Sequence, residues 1–454
     1  MITVDVAVIG AGVVGAAIAR ELSGCELSLA LIEARSDVGD ATSKSNTAIW
    51  HTGFDATPGT LEATLVARGY QQLGEYAALT GIPIEHTGAV LVAWNEEELA
   101  ALPGLQAKAI KNGYEACELI DVDAVYELLP ALAPGVRGAL TVPGEGIICP
   151  WTTNLAFATE AVHRGARLLL NHRVTDIEIG AAVTVLHTTG GDVTARWVIN
   201  AAGMGSDVID RAFGFDRFTI VPRRGELFVF DKLARPLANS IVLPVPTSRG
   251  KGVLISPTIF GNVMLGPTSE NLDDRSDTST SENGFEFLLS KGAALMPDLL
   301  REEVTASYAG LRAATEHADY VIEADLNQHY VVVGGIRSTG LTASMAIAEY
   351  VRALLPESEF RQRSQLPPSP NMPNIGEAFA RPYQQGERIA ADATYGDIVC
   401  FCERVTRGEI RDALVSTIPP TDLDGLRRRT RALMGRCQGF FCGADVEAML
   451  GGGS

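Results

Sequence analysis

The chain has 454 residues, enough for about three domains and a large core, so a single small module is excluded. Hydrophobic residues make up 46% and charged residues 20% of the sequence, which excludes wholesale disorder. The net charge of -18 repels a phosphate backbone over most of the surface, and we therefore expect no nucleic-acid partner.

The first residues do not predict an export signal or a membrane anchor. The opening apolar run lacks a preceding Lys or Arg and contains Asp5 instead, and no apolar stretch reaches the roughly 18 to 20 residues that span a bilayer. We expect a cytoplasmic protein without a transmembrane segment, and peripheral association with a membrane stays open.

The amino-terminal residues predict a strand, a helix and a second strand, read from VDVAVIG, AGVVGAAIARELS and LSLALIE. Gly10, Gly12 and Gly15 form G-x-G-x-x-G between the first strand and the helix, and Glu33 ends the second strand. The glycines allow a tight turn, close approach of a pyrophosphate and close helix packing, while the acid suits ribose hydroxyls. The pattern predicts a dinucleotide site but does not separate NAD from FAD.

Later segments predict how the chain is divided. Apolar strands at 197–203 and 330–336 both run into glycine and fit the same sheet, whereas alternating patterns at 88–94 and 224–231 fit antiparallel strands of an inserted sheet. We expect an α/β fold with an α+β insert: a nucleotide-binding domain (1–80, 151–215, 326–355) and a substrate-binding domain (81–150, 216–325). A proline-rich linker (356–395) and a small cysteine module (396–450) follow.

The loop after Glu33, DATSKSNTAIWHTGFDATPGTLEA, and four later motifs carry a family resemblance. The motifs are VINAAG, PRRGE, YAGLR and GIRSTGLT, in order within residues 1 to 355. They resemble the glycine-oxidase and D-amino-acid-oxidase (DAO) superfamily, and within it the type II glycerol-3-phosphate oxidases and dehydrogenases. The resemblance implies a Rossmann-like FAD-binding domain of the glutathione-reductase/DAO type, with FAD as cofactor.

The resemblance also implies which residues contact FAD. The helix after Gly340 is expected to point its amino terminus at the flavin, where the helix dipole stabilises negative charge. The expected FAD-binding residues are Gly10, Gly12, Gly15, Glu33, Ala34, Thr42, Ser43, Asn46, Val174, Ala202, Gly203, Gly340, Leu341 and Thr342.

Substrate chemistry is assigned through the same resemblance. His51 aligns with the family's active-site histidine and suits a base that removes an alcohol proton, and Thr47 takes the place of a nearby serine. Arg312 matches the arginine that binds the substrate anion, Lys251 matches a second cation, and Ser338 matches a hydroxyl close to the flavin. The remaining motif arginines are interpreted as structural or at the edge of the site: Arg223 and Arg224.

The last module contains Cys400-x-Cys402 and Cys437-x4-Cys442. Four thiolates suit zinc or an iron-sulfur cluster, and the spacing alone leaves both open, although C-x-C is unusual for zinc. The context VCFCERVT and RRRTRALMGRCQGFFC resembles the bacterioferritin-associated-ferredoxin-like (BFD-like) 2Fe-2S domain, which implies a cluster held by these cysteines. A basic run is interpreted as offsetting the cluster's charge or docking an acidic carrier: Arg427, Arg428, Arg429 and Arg431.

Together these features predict a dehydrogenase that oxidises sn-glycerol 3-phosphate to dihydroxyacetone phosphate and passes electrons through the cluster to a carrier or quinone. A cluster that releases electrons singly favours a dehydrogenase over an oxidase, although a purely structural cluster stays an alternative. Oxidation of L-2-hydroxyglutarate or another 2-hydroxy acid, an amine or amino-acid dehydrogenase subunit, and a non-catalytic electron-carrying subunit are the other candidates. The expected partners are a small anionic substrate, the electron acceptor and, as an open alternative, further subunits.

Overall fold

The structure is a computed structural model that describes residues 2–246 and 252–452. Its strands are β1 (Ile2–Ile9), β2 (Leu29–Ile32), β3 (Ile49–Trp50), β4 (Ile84–Glu85), β5 (Ala89–Ala93), β6 (Glu118–Ile120), β7 (Gly138–Val142), β8 (Gly146–Ile148), β9 (Arg167–Leu169), β10 (Val174–Ile179), β11 (Thr184–Thr188), β12 (Val193–Asn200), β13 (Val221–Phe230), β14 (Ile241–Pro244), β15 (Leu254–Pro257), β16 (Val263–Gly266), β17 (Glu270–Asn271), β18 (Val304–Ala314), β19 (Val321–Asp325), β20 (Tyr330–Gly334), β21 (Ile398–Cys400) and β22 (Val405–Thr406). Its α-helices are α1 (Val13–Leu22), α2 (Leu61–Thr80), α3 (Glu96–Lys111), α4 (Val122–Leu128), α5 (Pro150–His163), α6 (Ser206–Ala212), α7 (Glu282–Leu295), α8 (Gly340–Leu354), α9 (Gly386–Ala391), α10 (Arg407–Leu414), α11 (Leu423–Thr430) and α12 (Gly443–Gly451).

The first sheet has eight strands and is assembled from distant parts of the chain, as predicted. Its order is β10-β11-β12-β1-β2-β9, with β20 beside β12 and β19 beside β20. β1 runs parallel to both β2 and β12, and β12 runs parallel to β20. The central strands are almost wholly buried because helices such as α1 cover the sheet, which explains their continuous apolar sequences.

The second sheet has nine strands in the order β17-β13-β16-β15-β14-β5-β7-β6, with β18 paired to β13. Most pairs are antiparallel, as the alternating patterns predict. β14 and β5 are instead parallel, with Ile241 opposite Ala89 and Pro244 opposite Val92. These two strands come from separate stretches of the chain, so no hairpin turn forces them to be antiparallel.

The helix packing is centred on α1 and α8. α8 packs against α1 and α2, and α1 also packs against α5. α2 begins where the Thr60 side chain accepts a hydrogen bond from the Ala63 backbone and ends at Gly81, which has a φ of 76°. Within the described ranges, every helix is too short or too polar to cross a membrane.

The segment predicted as a linker follows a fixed path over the other domains. Gln362 forms a β-bridge with Cys25, Met372 donates a backbone hydrogen bond to Thr80, and Glu377 donates one to Ile259. The carboxy-terminal module then builds a small core of its own: Val399, Cys400, Val405, Ile410, Leu426, Ala432, Leu433, Cys442 and Val446. The domain limits given above stay a prediction.

Candidate active site and cofactor sites

The glycine-rich turn between β1 and α1 can hold a pyrophosphate. A Cβ at Gly10 would lie 2.5 Å from the Ala201 carbonyl oxygen, and one at Gly15 would lie 1.9 Å from the Gly10 carbonyl oxygen, so both positions require glycine. Gly12 caps α1 without any side-chain hydrogen bond. The positive end of the α1 dipole is therefore accessible to a phosphate.

Two side chains hold this turn in place. Glu33 accepts hydrogen bonds from the backbone N–H groups of Ala11 and Arg35, both at 2.9 Å, and burial raises the pKa of its carboxyl despite these bonds. The Ser43 hydroxyl oxygen accepts a 2.9 Å hydrogen bond from the Val13 backbone. Glu33 and Ser43 thus lie at the same end of α1, where the sequence predicts the dinucleotide.

The loop at 42–48 connects this turn to the second sheet. The Thr42 hydroxyl donates to the Leu311 carbonyl at 2.9 Å, and Asn46 stabilises the loop by bonding Ser43 and Ala48. Four other predicted FAD contacts lie nearby along the first sheet or beside it: Ala34 after β2, Val174 at the start of β10, and Ala202 and Gly203 after β12. Their FAD contacts stay predictions.

His51 lies where the 42–51 segment reaches the first turn of α8. Its backbone N–H donates to the Thr342 hydroxyl at 3.1 Å, and Gly340, Leu341 and Thr342 are buried there. The amino terminus of α8 and the His51 backbone are therefore in contact. The imidazole itself is 24% exposed, which leaves it accessible to a substrate.

Glu145 is a candidate functional residue that the sequence analysis does not predict. One carboxylate oxygen lies 2.9 Å from His51 Nδ1, and the other accepts hydrogen bonds from the Thr52 backbone at 2.7 Å and the Thr52 hydroxyl at 2.9 Å. The Glu145 side chain is fully buried. Because a carboxylate only accepts hydrogen bonds, it fixes the imidazole proton on Nδ1 and leaves Nε2 able to accept a proton.

Three neighbours fix the turn that carries Glu145. Tyr70 donates to the Gly144 carbonyl at 2.7 Å, and Tyr114 accepts from the Gly144 backbone at 2.6 Å. Burial, followed by the charges of Tyr114 and Glu145, raises the pKa of Tyr70 to about 12, so it stays a donor. Trp50 stacks on Tyr70 at 3.9 Å. The sequence contains one signal for Glu145, because it is the single acid in the apolar stretch TVPGEGII.

Arg312 lies in β18 with a like-charged neighbour. It is directly opposite Arg223 across the β13–β18 pair, and burial together with Arg223 lowers the pKa of Arg312. Arg223 donates to Asn271. Neither arginine has an ion pair within the described part of the chain. Two opposed guanidinium groups repel each other unless an anion lies between them, so this pair is suited to an anionic substrate.

The remaining catalytic candidates are Thr47, Ser338 and Lys251. Thr47 is half-buried in the 42–48 loop, and Ser338 is exposed just before α8. Lys251 lies outside the described residues. Arg224, by contrast, points away from Arg312 and is held by Glu270 at 2.6 Å, so the structure gives it a structural role.

The four carboxy-terminal cysteines lie close together. The thiol of Cys402 interacts with those of Cys437 and Cys400, and the thiol of Cys442 interacts with those of Cys400 and Cys437. Backbone N–H groups, that of Phe441 foremost, lower the pKa of Cys437. Four neighbouring thiols suit either a 2Fe-2S cluster or a tetrahedral zinc ion.

Three arginines of the basic run, Arg428, Arg429 and Arg431, do not have the role that the sequence suggested, whereas Arg427 is 36% exposed and pairs with Asp424. Arg429 donates to both carboxylate oxygens of Asp37 at 2.7 and 2.8 Å, and Arg428 pairs with Asp37 and Asp40. Arg431 is also buried and pairs with Glu403. An acidic carrier cannot reach these paired, buried groups. They instead dock the cysteine module onto the loop that follows Glu33.

Comparison with known proteins defines the class as a flavin-dependent oxidoreductase with an attached iron-sulfur domain. Residues 5–354 match the DAO family, FAD dependent oxidoreductase, and residues 398–451 match the BFD-like 2Fe-2S binding domain. The chain therefore belongs to the DAO family of FAD-dependent oxidoreductases. Its cofactors are FAD and a 2Fe-2S cluster.

Individual relatives refine the class. The glycerol 3-phosphate dehydrogenase of Caloramator mitchellensis is 34% identical over 98% of this chain and 93% of its own. The FAD-bound L-α-glycerophosphate oxidase structure from Mycoplasma pneumoniae superposes with a TM-score of 0.78 at 28% identity, covering 83% of this chain and all of that one. The mitochondrial L-2-hydroxyglutarate dehydrogenase of Arabidopsis thaliana is 28% identical over 77% of this chain and 82% of its own. The enzyme is thus an oxidoreductase of the glycerol-3-phosphate dehydrogenase type.

Proposed function

We propose that the enzyme oxidises sn-glycerol 3-phosphate to dihydroxyacetone phosphate and passes the electrons through its 2Fe-2S cluster to an external acceptor in the cytoplasm. FAD, when bound, supplies the acceptor for the hydride that leaves the substrate's secondary carbon. The observation that carries the substrate class is the opposed pair Arg223 and Arg312, which suits an anion. The dehydrogenase from Caloramator mitchellensis, similar over both domains, supports glycerol 3-phosphate as that anion.

Arg312 and Arg223 bind the phosphate group in this proposal. A guanidinium matches two phosphate oxygens at once. Fixing the phosphate on the second sheet orients the rest of the substrate towards the 42–51 segment. Lys251 is the expected second phosphate ligand.

His51 removes the hydroxyl proton. His51 Nδ1–H donates a hydrogen bond to Glu145, so Nε2 is the nitrogen that takes the proton of the substrate hydroxyl. Glu145 then stabilises the imidazolium that forms, and is a positioning residue because it acts through His51. Thr47 and Ser338 are the hydroxyl groups proposed to orient the substrate beside the cofactor.

Anaerobic mixing of the enzyme with candidate substrates tests the proposal. Stopped-flow absorbance would follow flavin bleaching and cluster bleaching separately with glycerol 3-phosphate, L-2-hydroxyglutarate and L-proline. We expect glycerol 3-phosphate to bleach the flavin fastest, followed by the cluster. Faster bleaching by L-2-hydroxyglutarate would establish the runner-up, since the arginine pair also suits a dicarboxylate. Equal rates with and without any substrate would support a non-catalytic electron-carrying subunit.

A further inference from the structure

Three phenylalanine side chains are exposed beside the cysteines of the carboxy-terminal module. Phe401 separates the two cysteines of the first motif, and Phe440 and Phe441 lie inside the second motif. Their exposed fractions are 73%, 84% and 76%, which places them among the four most exposed large apolar residues in the described part of the chain. Apolar rings that cluster in water mark a surface that another molecule covers.

The rings belong to two loops that lie side by side. The thiol of Cys402 in the first loop interacts with the thiol of Cys437 in the second, so the loops meet at the cysteines. Phe440 and Phe441 contact each other edge to face, with their ring centroids 5.2 Å apart. The three phenylalanines therefore surround the cysteines from two directions, and we call them the phenylalanine surface.

Hydrogen bonds hold the second loop in place, so the exposure of its rings does not come from a loose chain. The Gln438 side chain donates to the Thr305 carbonyl of β18 at 2.7 Å. The Phe440 backbone N–H donates to the Cys437 carbonyl at 2.9 Å. A partner can therefore bind the rings without first ordering this loop.

The phenylalanine surface lies on the more accessible side of the cysteines. Cys402 and Cys437 are half-buried, whereas Cys400 and Cys442 are buried. A partner on this side comes nearest to a cluster held by the four thiols. The position therefore suits a molecule that exchanges electrons with the cluster.

The size of the surface favours a transient partner over a second copy of the chain. A buried aromatic ring covers about 150 to 250 Å², so three rings exposed by about three quarters offer on the order of 450 Å². Stable complexes bury about 800 Å² on each partner, whereas redox encounters are smaller. The phenylalanine surface matches the redox class.

The charges near the surface favour a basic partner. Arg404 pairs with Glu377 at 3.0 Å, and Arg436 pairs with Asp231 at 2.7 Å, so both exposed arginines are neutralised. Glu447 on α12 is exposed and forms no ion pair within the described part of the chain. The net charge of -18 attracts a basic protein over long distances and repels an acidic one.

We propose that Phe401, Phe440 and Phe441 form the docking surface for a small basic one-electron carrier protein with an apolar contact patch. The inference rests on the electron transfer of the proposed function and names the partner of that step. The carrier takes one electron from the reduced cluster and no proton. Two carrier molecules therefore reoxidise the enzyme for each substrate molecule oxidised.

Calorimetric titration of the oxidised holoenzyme with oxidised cytochrome c, a small basic haem protein, tests the surface without any electron flow. Phe440→Ser and Phe441→Ser should each weaken binding at least fivefold. The matched control is Val415→Ser, which changes a 77% exposed apolar side chain at the end of α10 in the same module and should leave the Kd within twofold. Binding should weaken with added salt, and an acidic plant-type ferredoxin should bind more weakly.

Stopped-flow mixing then separates this surface from the substrate site. Enzyme reduced with dithionite and freed of excess reductant is mixed with oxidised cytochrome c, and haem absorbance follows the electron. Both phenylalanine variants should slow haem reduction at least fivefold at low carrier concentration, while their flavin and cluster absorbance stay those of the wild type. Because dithionite replaces the substrate, failure of glycerol 3-phosphate to bleach the flavin would count against the proposed function alone.

Several outcomes would overturn the docking surface. They are absence of saturable binding of cytochrome c, an unchanged Kd in both phenylalanine variants, and equal or tighter binding of the ferredoxin. Sedimentation in which the variants turn a dimer into a monomer would assign the surface to a second copy. Binding to phosphatidylcholine vesicles that the variants abolish would assign it to a membrane, and either result would also overturn the proposal.

Discussion

Replacement of Glu145 by glutamine tests the proposed base most sharply. The Gln carbonyl oxygen can keep both bonds from Thr52, so two of the three hydrogen bonds of the buried side chain survive. The third is reversed, because an amide N–H now donates to His51 Nδ1 and moves the imidazole proton to Nε2. That tautomer cannot accept the substrate's proton. Reversal of a comparable histidine tautomer costs a rate factor of about 10⁴ in serine proteases, so we expect a loss of about 10³ to 10⁴ here.

The assay is anaerobic stopped-flow reduction of the flavin by glycerol 3-phosphate. We expect the limiting rate to fall by that factor while the KM changes less than threefold, because the phosphate ligands are untouched. Glu145→Asp, which keeps the charge on a shorter side chain, should recover part of the rate. The flavin spectrum and thermal stability should stay close to those of the wild type. A limiting rate within threefold of the wild type would refute the assigned role of Glu145.

Three further outcomes follow from other contacts. In steady-state kinetics, Arg312→Lys should raise the KM for glycerol 3-phosphate about 30-fold, which corresponds to roughly 2 kcal/mol for a lost bidentate bond. The control Arg301→Lys changes a side chain that is 81% exposed, and it should leave the KM unchanged. Cys437→Ser should remove the cluster absorbance and keep that of FAD, and loss of both would contradict separate cofactor sites. Asp37→Asn should destabilise the chain by about 3 kcal/mol in calorimetry. Burial raises the pKa of Asp37, but bonds and charges from Arg429 and Arg428 outweigh it and lower this pKa below 3.8. The stabilisation that ionised Asp37 gives is therefore present above about pH 4 and is lost as the pH falls through the lowered pKa. If Asp37→Asn lost stability in acid to the same extent as the wild type does, this assignment would be contradicted.

The sequence predicts those parts of the site that are encoded locally. The glycine turn, the strands at 197–203 and 330–336, and the cysteine spacing all depend on residues close together in the chain. Glu145 escapes prediction because its partner His51 lies 94 residues away and the turn that presents it has no repeating pattern. The parallel pairing of β14 with β5 escapes for the same reason, since two inserted segments meet there only after folding.

The contacts that dock the cysteine module could not be predicted from the charge pattern alone. A run of arginines in an acidic chain suggests an exposed basic patch, yet Arg429 reaches back 392 residues to Asp37. Asp37 lies four residues after Glu33 and six before Ser43, which bonds the start of α1. Thr42 in turn bonds β18. One loop therefore joins the FAD site, the second sheet and the iron-sulfur domain. Any movement of the iron-sulfur domain that breaks the Asp37 ion pairs must also act on this loop, which holds the dinucleotide turn.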